Sequence, residues 1–511
     1  MEHSERPNHQ RWAVVLALAF LLHVYVASQS DLGLDAHVRL NALNDGTTEG
    51  QELTWGPPRI TGSSNENKTA VYDGYVPPWN TSESLMKITA VSSLVLVAAF
   101  VSLRPRHHTG SPRFDPVWGS LLMLSPVLLF STSRGYDEAP LALLMGLGVV
   151  GFWFHRGETP AQQRLNGVLM ATSLLLVMVW KGFSPLASLA VWAVMLVLTE
   201  IWVALCRSGR YTNDGQWLGN PWTVGACTFG AVYGGVFVVG FASSSGTFST
   251  IGEQPLHFVV ASGFALFDAV VLYLLVGCLL WPFLAQRRLV LRSARGPGFT
   301  MLVVYISAVL AGIIAYIATL WTLEASLWNM SLAKVMVVLG NNGRYATMLL
   351  IPMVALLRWD ETLEKNRAVP ASKASIQAIA LVLPFVLFLT LAGHQIWSED
   401  AGEVLADSWA SGDETVLLIA PESMAMHHLY VIKTNVDLDG SQSIQGLWTT
   451  PDGAPTILAE HSGNIDFVLV APGATIAFDT TSWDLVHSQG VPVSVPGGIQ
   501  SGSWSLYRLP G

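Results

Sequence analysis

Two short acidic clusters stand out in a chain that carries little charge. One is Asp31-Leu-Gly-Leu-Asp35-Ala-His37 and the other Arg134-Gly-Tyr-Asp137-Glu138. A third polar motif, Gly340-Asn-Asn-Gly343-Arg344-Tyr345, comes late in the chain. A carboxylate within hydrogen-bond reach of a hydroxyl can take its proton as the oxygen attacks an electrophilic carbon. Negative charge beside a developing oxocarbenium ion stabilises it. A departing phosphate needs a fixed cation, and the planar fork of Arg can bind two of its oxygens. Glycine beside that Arg lets the backbone approach a headgroup closely. These residue types suit transfer of a group from a phosphate to an acceptor hydroxyl.

The elements that must position them are apolar. Hydrophobic residues make up 51% of the chain and charged residues 12%, against about 25% charged in a typical soluble protein. Mean hydropathy is +0.44. Runs long enough to cross roughly 30 Å of hydrocarbon recur along most of the length. The sequence predicts a polytopic α-helical membrane bundle of about eleven spans: 12–29, 85–103, 116–132, 138–154, 165–180, 183–205, 222–243, 256–284, 299–321, 345–357 and 374–393. The 116–132 and 345–357 runs are short for a crossing and read as tilted or re-entrant. The first span, led by Arg11 and followed by Val26-Ala-Ser28, also has the layout of a signal peptide. Cys206, Cys227 and Cys278 form no CxxC pair, which argues against a disulfide framework or a zinc cluster.

Charge sets the orientation. With the N-terminus in the cytoplasm, most of the 27 Lys and Arg fall in the N-terminal segment and the loops near 104–115, 155–164, 206–221, 285–298 and 358–373. The Arg287-Arg288…Arg292…Arg295 run alone marks one loop as inside. The net charge of −9 and this clustering of basic residues speak for topology in a cell membrane and against a nucleic-acid partner. An odd number of spans then places the C-terminal region outside the cell. The acceptors that start at Asn67, Asn80 and Asn329 also fall outside, as do both acidic clusters, Lys181, Glu253, His257, Lys334 and Arg344.

We divide the chain into a transmembrane domain, 1–393, with a long first outer loop at 30–84, and an extracytoplasmic α/β or β-rich domain, 394–511. Within the loop, Asp35 to Leu43 reads as a short amphipathic helix on the surface, with Val38, Leu40 and Leu43 toward lipid or protein. In the second domain Val416–Ala420, Leu429–Ile432, Asp466–Val470 and Trp504–Tyr507 read as strands. His427 and His428 would then face opposite sides of a strand, a poor arrangement for a metal. No Gly-rich nucleotide loop is present.

Transfer of a sugar from a lipid phosphate needs one or two carboxylates, a cation and a groove open to lipid. Asp35 is the preferred base and Asp31 the alternative. Asp137 and Glu138 are further catalytic candidates, although carboxylates at a helix start can also serve as caps. Arg344 is the donor-phosphate ligand, with interfacial snorkelling as its other reading. Lys334 is a weaker phosphate candidate. His37, His257 and Tyr345 are accessory candidates, while Arg39 and Lys181 read as structural. Asp35, Asp137 and Arg344 should meet at one outer groove.

With these residues in view, the chain resembles the GT-C glycosyltransferases, in the protein mannosyltransferase and aminoarabinose-transferase-like branch. The outer acidic motif after the first span, the second between the third and fourth spans, and Gly343-Arg344-Tyr345 with Pro352 following carry the resemblance. It implies an inverting enzyme that uses a polyprenyl- or dolichyl-phosphate-linked sugar and a lipid-linked glycan or protein acceptor. It also implies Asp35 as base and Arg344 on the donor phosphate. No cofactor is required on this reading. Gly135-Tyr136-Asp137-Glu138 and Asp35-Ala-His-Val-Arg39 also resemble the acidic motifs of oligosaccharyltransferase catalytic subunits, which hold a divalent metal such as Mg or Mn. Their Trp-Trp-Asp-x-Gly motif is absent here; Trp483-Asp484 and Trp409-Ala-Ser-Gly412-Asp413 replace it poorly. From other classes, a transporter would explain Asp268 inside the eighth span. A membrane scaffold would leave the two clusters without a shared task.

Overall fold

The computed structural model describes residues 9–44, 77–103, 114–209, 219–243, 247–327, 331–338, 340–359, 371–409, 414–420, 425–437, 445–461, 463–476, 480–491 and 502–509. The sequence expectations at Asn67 and Asn329 lie outside these residues. Helices in the first half are α1 (His9–Gln29), α2 (Leu34–Asn44), α3 (Glu83–Ser102), α4 (Pro116–Met123), α5 (Pro126–Ser133), α6 (Glu138–Val149), α7 (Pro160–Trp180), α8 (Pro185–Arg207) and α9 (Pro221–Ala242). They are followed by α10 (Thr250–Glu253), α11 (Pro255–Leu266), a π-helix (Phe267–Val276), α12 (Trp281–Ser293), α13 (Pro297–Leu327), α14 (Leu332–Val338), a 3₁₀-helix (Gly340–Leu349), α15 (Leu350–Leu357) and α16 (Ala371–Leu391). The remaining elements are α17 (Trp397–Ser408), β1 (Thr415–Ile419), α18 (Ala425–Asp437), β2 (Gln445–Thr449), α19 (Ala454–Glu460), β3 (Phe467–Val470), β4 (Asp484–Gly490) and β5 (Ser503–Arg508).

Many apolar helices begin with the same local code, a capping side chain followed by Pro. Asp115 accepts the Val117 N–H, Ser184 that of Ala187 and Asn220 that of Trp222, while Thr159 forms a capping box with Gln162. Each cap satisfies a donor that the helix leaves open, and Pro at the first position gives up no bond.

The chain is a multi-pass membrane protein. Among the described residues, eight helices are long and apolar enough to cross a membrane, or nine if α4 and α5, bent by 64°, count as one broken span. With that pair counted once, two shorter apolar helices bring the apolar segments to the eleven of the sequence reading. The 138–154 and 345–357 runs are shorter apolar helices, Glu138–Trp153 and Asn342–Leu357. Both α4 and α15 are buried along their whole length. Irregular backbone at membrane depth is tolerated when protein surrounds it. The 256–284 run also departs from expectation. It passes from α11 into the π-helix and breaks near Leu279, whose φ is 65°. Its Arg-rich continuation is the separate helix α12, where buried Arg287 donates to the Leu357 carbonyl.

The chain forms two compact units. One comprises residues 1–26, 90–132 and 137–390; the other takes in 27–89 and 133–136 together with 391–511. The described parts of the 30–84 loop, 30–44 and 77–84, fall in the second unit with the C-terminal region, where the sequence reading grouped them with the bundle. In the first unit α13 is largely buried and packs against α9 and α11, while α8 and α9 expose much apolar surface. His23 lies in its interior, 2.9 Å from Thr132 Oγ1 and 2.8 Å from the Met123 carbonyl.

The second unit is built on a five-stranded sheet of order β2-β1-β3-β5-β4. Here β1 pairs in parallel with β2 and β3, and β5 runs antiparallel to β3 and β4. Three of the expected strands are present. Leu429–Ile432, by contrast, lies in helix α18, and all four residues are buried. A short apolar run does not by its periodicity distinguish a strand from a helix buried on several sides. Helix α2 packs on α18, with Leu34, Ile396 and Val431 clustered. Asn41 donates to the Tyr430 carbonyl at 3.0 Å. The expected surface helix is thus a docked one, and Leu40 is buried with Leu32, Ala36 and Met86.

Candidate active site

Within the first unit, three elements bring charge together. Asp137 is the N-cap of α6 and Glu138 its first residue. Arg344 and Tyr345 ride on the 3₁₀-helix that packs against α6, and Lys181 is the C-cap of α7. Arg344 Nε donates to Glu138 Oε1 at 2.6 Å, and both side chains are buried. Lys181 Nζ stands 3.7 Å from Asp137 Oδ2. Both cations lie against one ring: Lys181 Nζ is 4.6 Å, and Arg344 Cζ 5.3 Å, from the Tyr345 centroid. Tyr316 of α13 meets that ring edge-on at 5.8 Å. Acid, cation, aromatic, cation and acid form a continuous row.

This arrangement separates two readings of the second acidic cluster. Asp137 occupies the cap position, yet its side chain makes no capping hydrogen bond. Its carboxylate faces Lys181 instead. Lys181, which the sequence reading treated as structural, stands in this row at the end of an apolar helix. Asp268, in the first turn of the π-helix, accepts the Gly343 N–H beside this row. Lys334 is exposed on α14, and exposed His257, in the first turn of α11, bonds to Gln254 Oε1.

The first cluster belongs to the second unit. Asp35 sits in the first turn of α2, where the helix dipole favours a carboxylate. Its side chain is 44% exposed, and Oδ1 is 3.7 Å from His427 Nε2 on α18. Asp31, the alternative base, is committed otherwise. Its Oδ2 accepts the Ile396 N–H at 2.6 Å. Burial raises Asp31 to about 6, with the nearby Glu83 carboxylate adding to the rise and the Ile396 N–H opposing it. His37 is buried, with Nδ1 2.9 Å from Thr434 Oγ1 and Nε2 3.4 Å from Glu399 Oε2. Burial holds it neutral, down to about 3. His427 and His428 lie on a helix rather than a strand. His428 is buried 2.8 Å from the Ser398 hydroxyl, while His427 turns toward Asp35.

Backbone geometry holds this loop in place. Gly135 adopts φ +68°, and its carbonyl accepts from Arg39 Nη2 at 2.9 Å. A side chain on Gly33 would strike the ring of buried Tyr136, whose Cζ would lie 2.3 Å from the added Cβ. The Arg134–Glu138 segment is where the chain passes from the second unit to the first.

The metal implied by the oligosaccharyltransferase likeness does not fit these residues. Among the described residues no three of His, Cys, Asp or Glu converge as a ligand set. The Asp137 and Glu138 carboxylates face Lys181 and Arg344, which already supply positive charge.

No family model matches the chain, and no curated protein sequence matches it. Solved structures do match in layout. ArnT from Cupriavidus metallidurans bound to undecaprenyl phosphate is 10% identical, with a TM-score of 0.49 over 98% of each chain. The apo state of the same protein gives 12% identity and a TM-score of 0.39. Arabinofuranosyltransferase AftD from Mycobacteria is 14% identical, with a TM-score of 0.38; 99% of this chain aligns with 42% of that one. Each of the three alignments covers 98–99% of this chain.

Proposed function

We propose that the chain is an inverting membrane glycosyltransferase that takes a sugar from a polyprenyl- or dolichyl-phosphate donor on the outer face of the membrane. The observation that carries this reading is the row Asp137–Lys181–Tyr345–Arg344–Glu138, buried except at Lys181, which is half-buried. Ionisable groups inside a membrane bundle are costly and mark function by default. Two cations held by two acids against one aromatic ring form a rigid receptor for a phosphate. Glu138 orients the Arg344 guanidinium through Nε.

The reaction asks little more. The acceptor hydroxyl loses its proton to a carboxylate and its oxygen attacks the anomeric carbon. The bond from that carbon to the phosphate oxygen breaks, and the electron pair leaves with the lipid phosphate, where Arg344 and Lys181 meet the added charge. Asp35 is our candidate base: its side chain is 44% exposed, whereas Asp31 accepts the Ile396 N–H. The acceptor is a lipid-linked glycan or a protein.

The test is incubation of the purified full-length chain with labelled polyprenyl-phosphate sugars. Asp35→Asn should lower transfer at least about 100-fold while donor binding stays intact. Arg344→Ala should weaken binding of undecaprenyl phosphate about tenfold or more. Unchanged turnover in Asp35→Asn removes that residue as base. A wild-type chain that binds no polyprenyl phosphate removes the function.

A further inference from the structure

Asp268 is a carboxylate within an apolar span, and the reaction above does not use it. A carboxylate there is expensive to desolvate, so what it touches bears on why it is present. It lies in the first turn of the ten-residue π-helix Phe267–Val276. A π-helix gives a wider turn than an α-helix and is frequent at functional sites. The carboxylate accepts the backbone N–H of Gly343. The fit is tight: a Cβ on Gly343 would come within 2.4 Å of both Asp268 Oδ2 and Tyr273 Cδ2. Asp268 is 9% exposed, and among the described residues Oδ2 has no hydrogen-bond partner. Gly343 directly precedes Arg344, whose side chain is held by Glu138 at 2.6 Å. The 3₁₀ turn that carries the guanidinium is thus gripped twice, at the side chain from α6 and at the backbone from the π-helix.

We infer that Asp268 is a positioning residue: by holding the Gly343 N–H it sets the turn that presents Arg344 to a lipid-linked phosphate. The inference rests on the phosphate-binding role proposed above. A carboxylate that merely satisfied a buried donor would affect folding without acting through Arg344. The two cases separate in a double-mutant cycle.

Binding of undecaprenyl phosphate is measured on the full chain in lipid nanodiscs for wild type, Asp268→Ala, Asp268→Asn, Arg344→Ala and the Asp268→Ala/Arg344→Ala pair. Asp268→Ala should weaken binding about tenfold. Asp268→Asn keeps an oxygen acceptor for Gly343 and should stay within about threefold of wild type. The double variant should bind no more weakly than Arg344→Ala alone. Wild-type affinity in Asp268→Ala overturns the inference, and so does a loss that adds in full to that of Arg344→Ala. If Asp268→Ala does not fold, Gly343→Ala replaces it in the cycle, since its methyl displaces the same carboxyl. Wild type without measurable binding overturns the phosphate reading itself, a result distinct from either failure of the cycle.

Discussion

At the residue scale, the Glu138–Arg344 pair has two separable contributions. It fixes the guanidinium that we propose meets the phosphate, and it neutralises two charges that would otherwise be buried alone. Removing one partner strands the other, at a cost of about 3–5 kcal/mol, whereas removing both does not. Glu138→Ala should therefore lower thermal stability more than the Glu138→Ala/Arg344→Ala pair does, as read by unfolding in detergent. A double variant less stable than Glu138→Ala would contradict this account. Environment also separates the two first-loop carboxylates: Asp31 accepts the Ile396 N–H, while Asp35 is 44% exposed and lies 3.7 Å from His427.

At the scale of elements, the docking of α2 on α17 and α18 depends on buried titratable groups with opposing effects. Burial raises Glu399 to about 8, with nearby Asp31, Glu83 and Glu403 adding to the rise and the Asn435 hydrogen bond opposing it. Between its ordinary value of 4.5 and about 8, the unfolded chain gives up this proton while the folded chain keeps it. Stability falls with rising pH across that window. Asp31 acts the same way between 3.8 and about 6. His37 and His428, lowered by burial from 6.5 to about 3, act in the opposite sense and are complete by pH 6.5. Above that pH, Glu399 is the one of these four still titrating. Hydrogen-exchange protection of α2 should therefore fall between about pH 6.5 and 8, by up to about 2 kcal/mol. Glu399→Gln should flatten the profile. Constant protection in the native chain would mean that the Glu399 proton is not linked to docking.

At the scale of the whole molecule, we propose the orientation that the distribution of basic residues favours, with the C-terminal region outside. Ser488 is exposed on β4 and Arg288 is exposed on α12. A membrane-impermeant maleimide should label Ser488→Cys in intact cells and Arg288→Cys only after permeabilisation, each read against the background of the three native cysteines. The reverse pattern would invert the topology and place Asp35 and Arg344 in the cytoplasm. The broken pair α4–α5 and the short helices α6 and α15 are apolar segments of a kind different from the eight long helices. Apolar composition records that a segment is buried, and it reads alike for a buried half-helix and a lipid-facing span.

Composition, apolar run length and cap-plus-Pro starts are local properties of the chain. They were enough to establish a helical membrane protein with a small sheet-bearing C-terminal region, to set the helix starts, and to mark Asp35, Asp137, Glu138 and Arg344 as candidates. The pairings came only with the tertiary structure. Glu138 and Arg344 are 206 residues apart. Lys181 reaches Asp137 from another helix, and Asp268 reaches Gly343 through a π-helical register that the sequence does not signal. An ion pair or hydrogen bond acts over a few ångströms, and which residues come that close is decided by how helices pack. For the same reason Leu429–Ile432, apolar and β-branched in part, became a helix once α2, α17 and the sheet surrounded it.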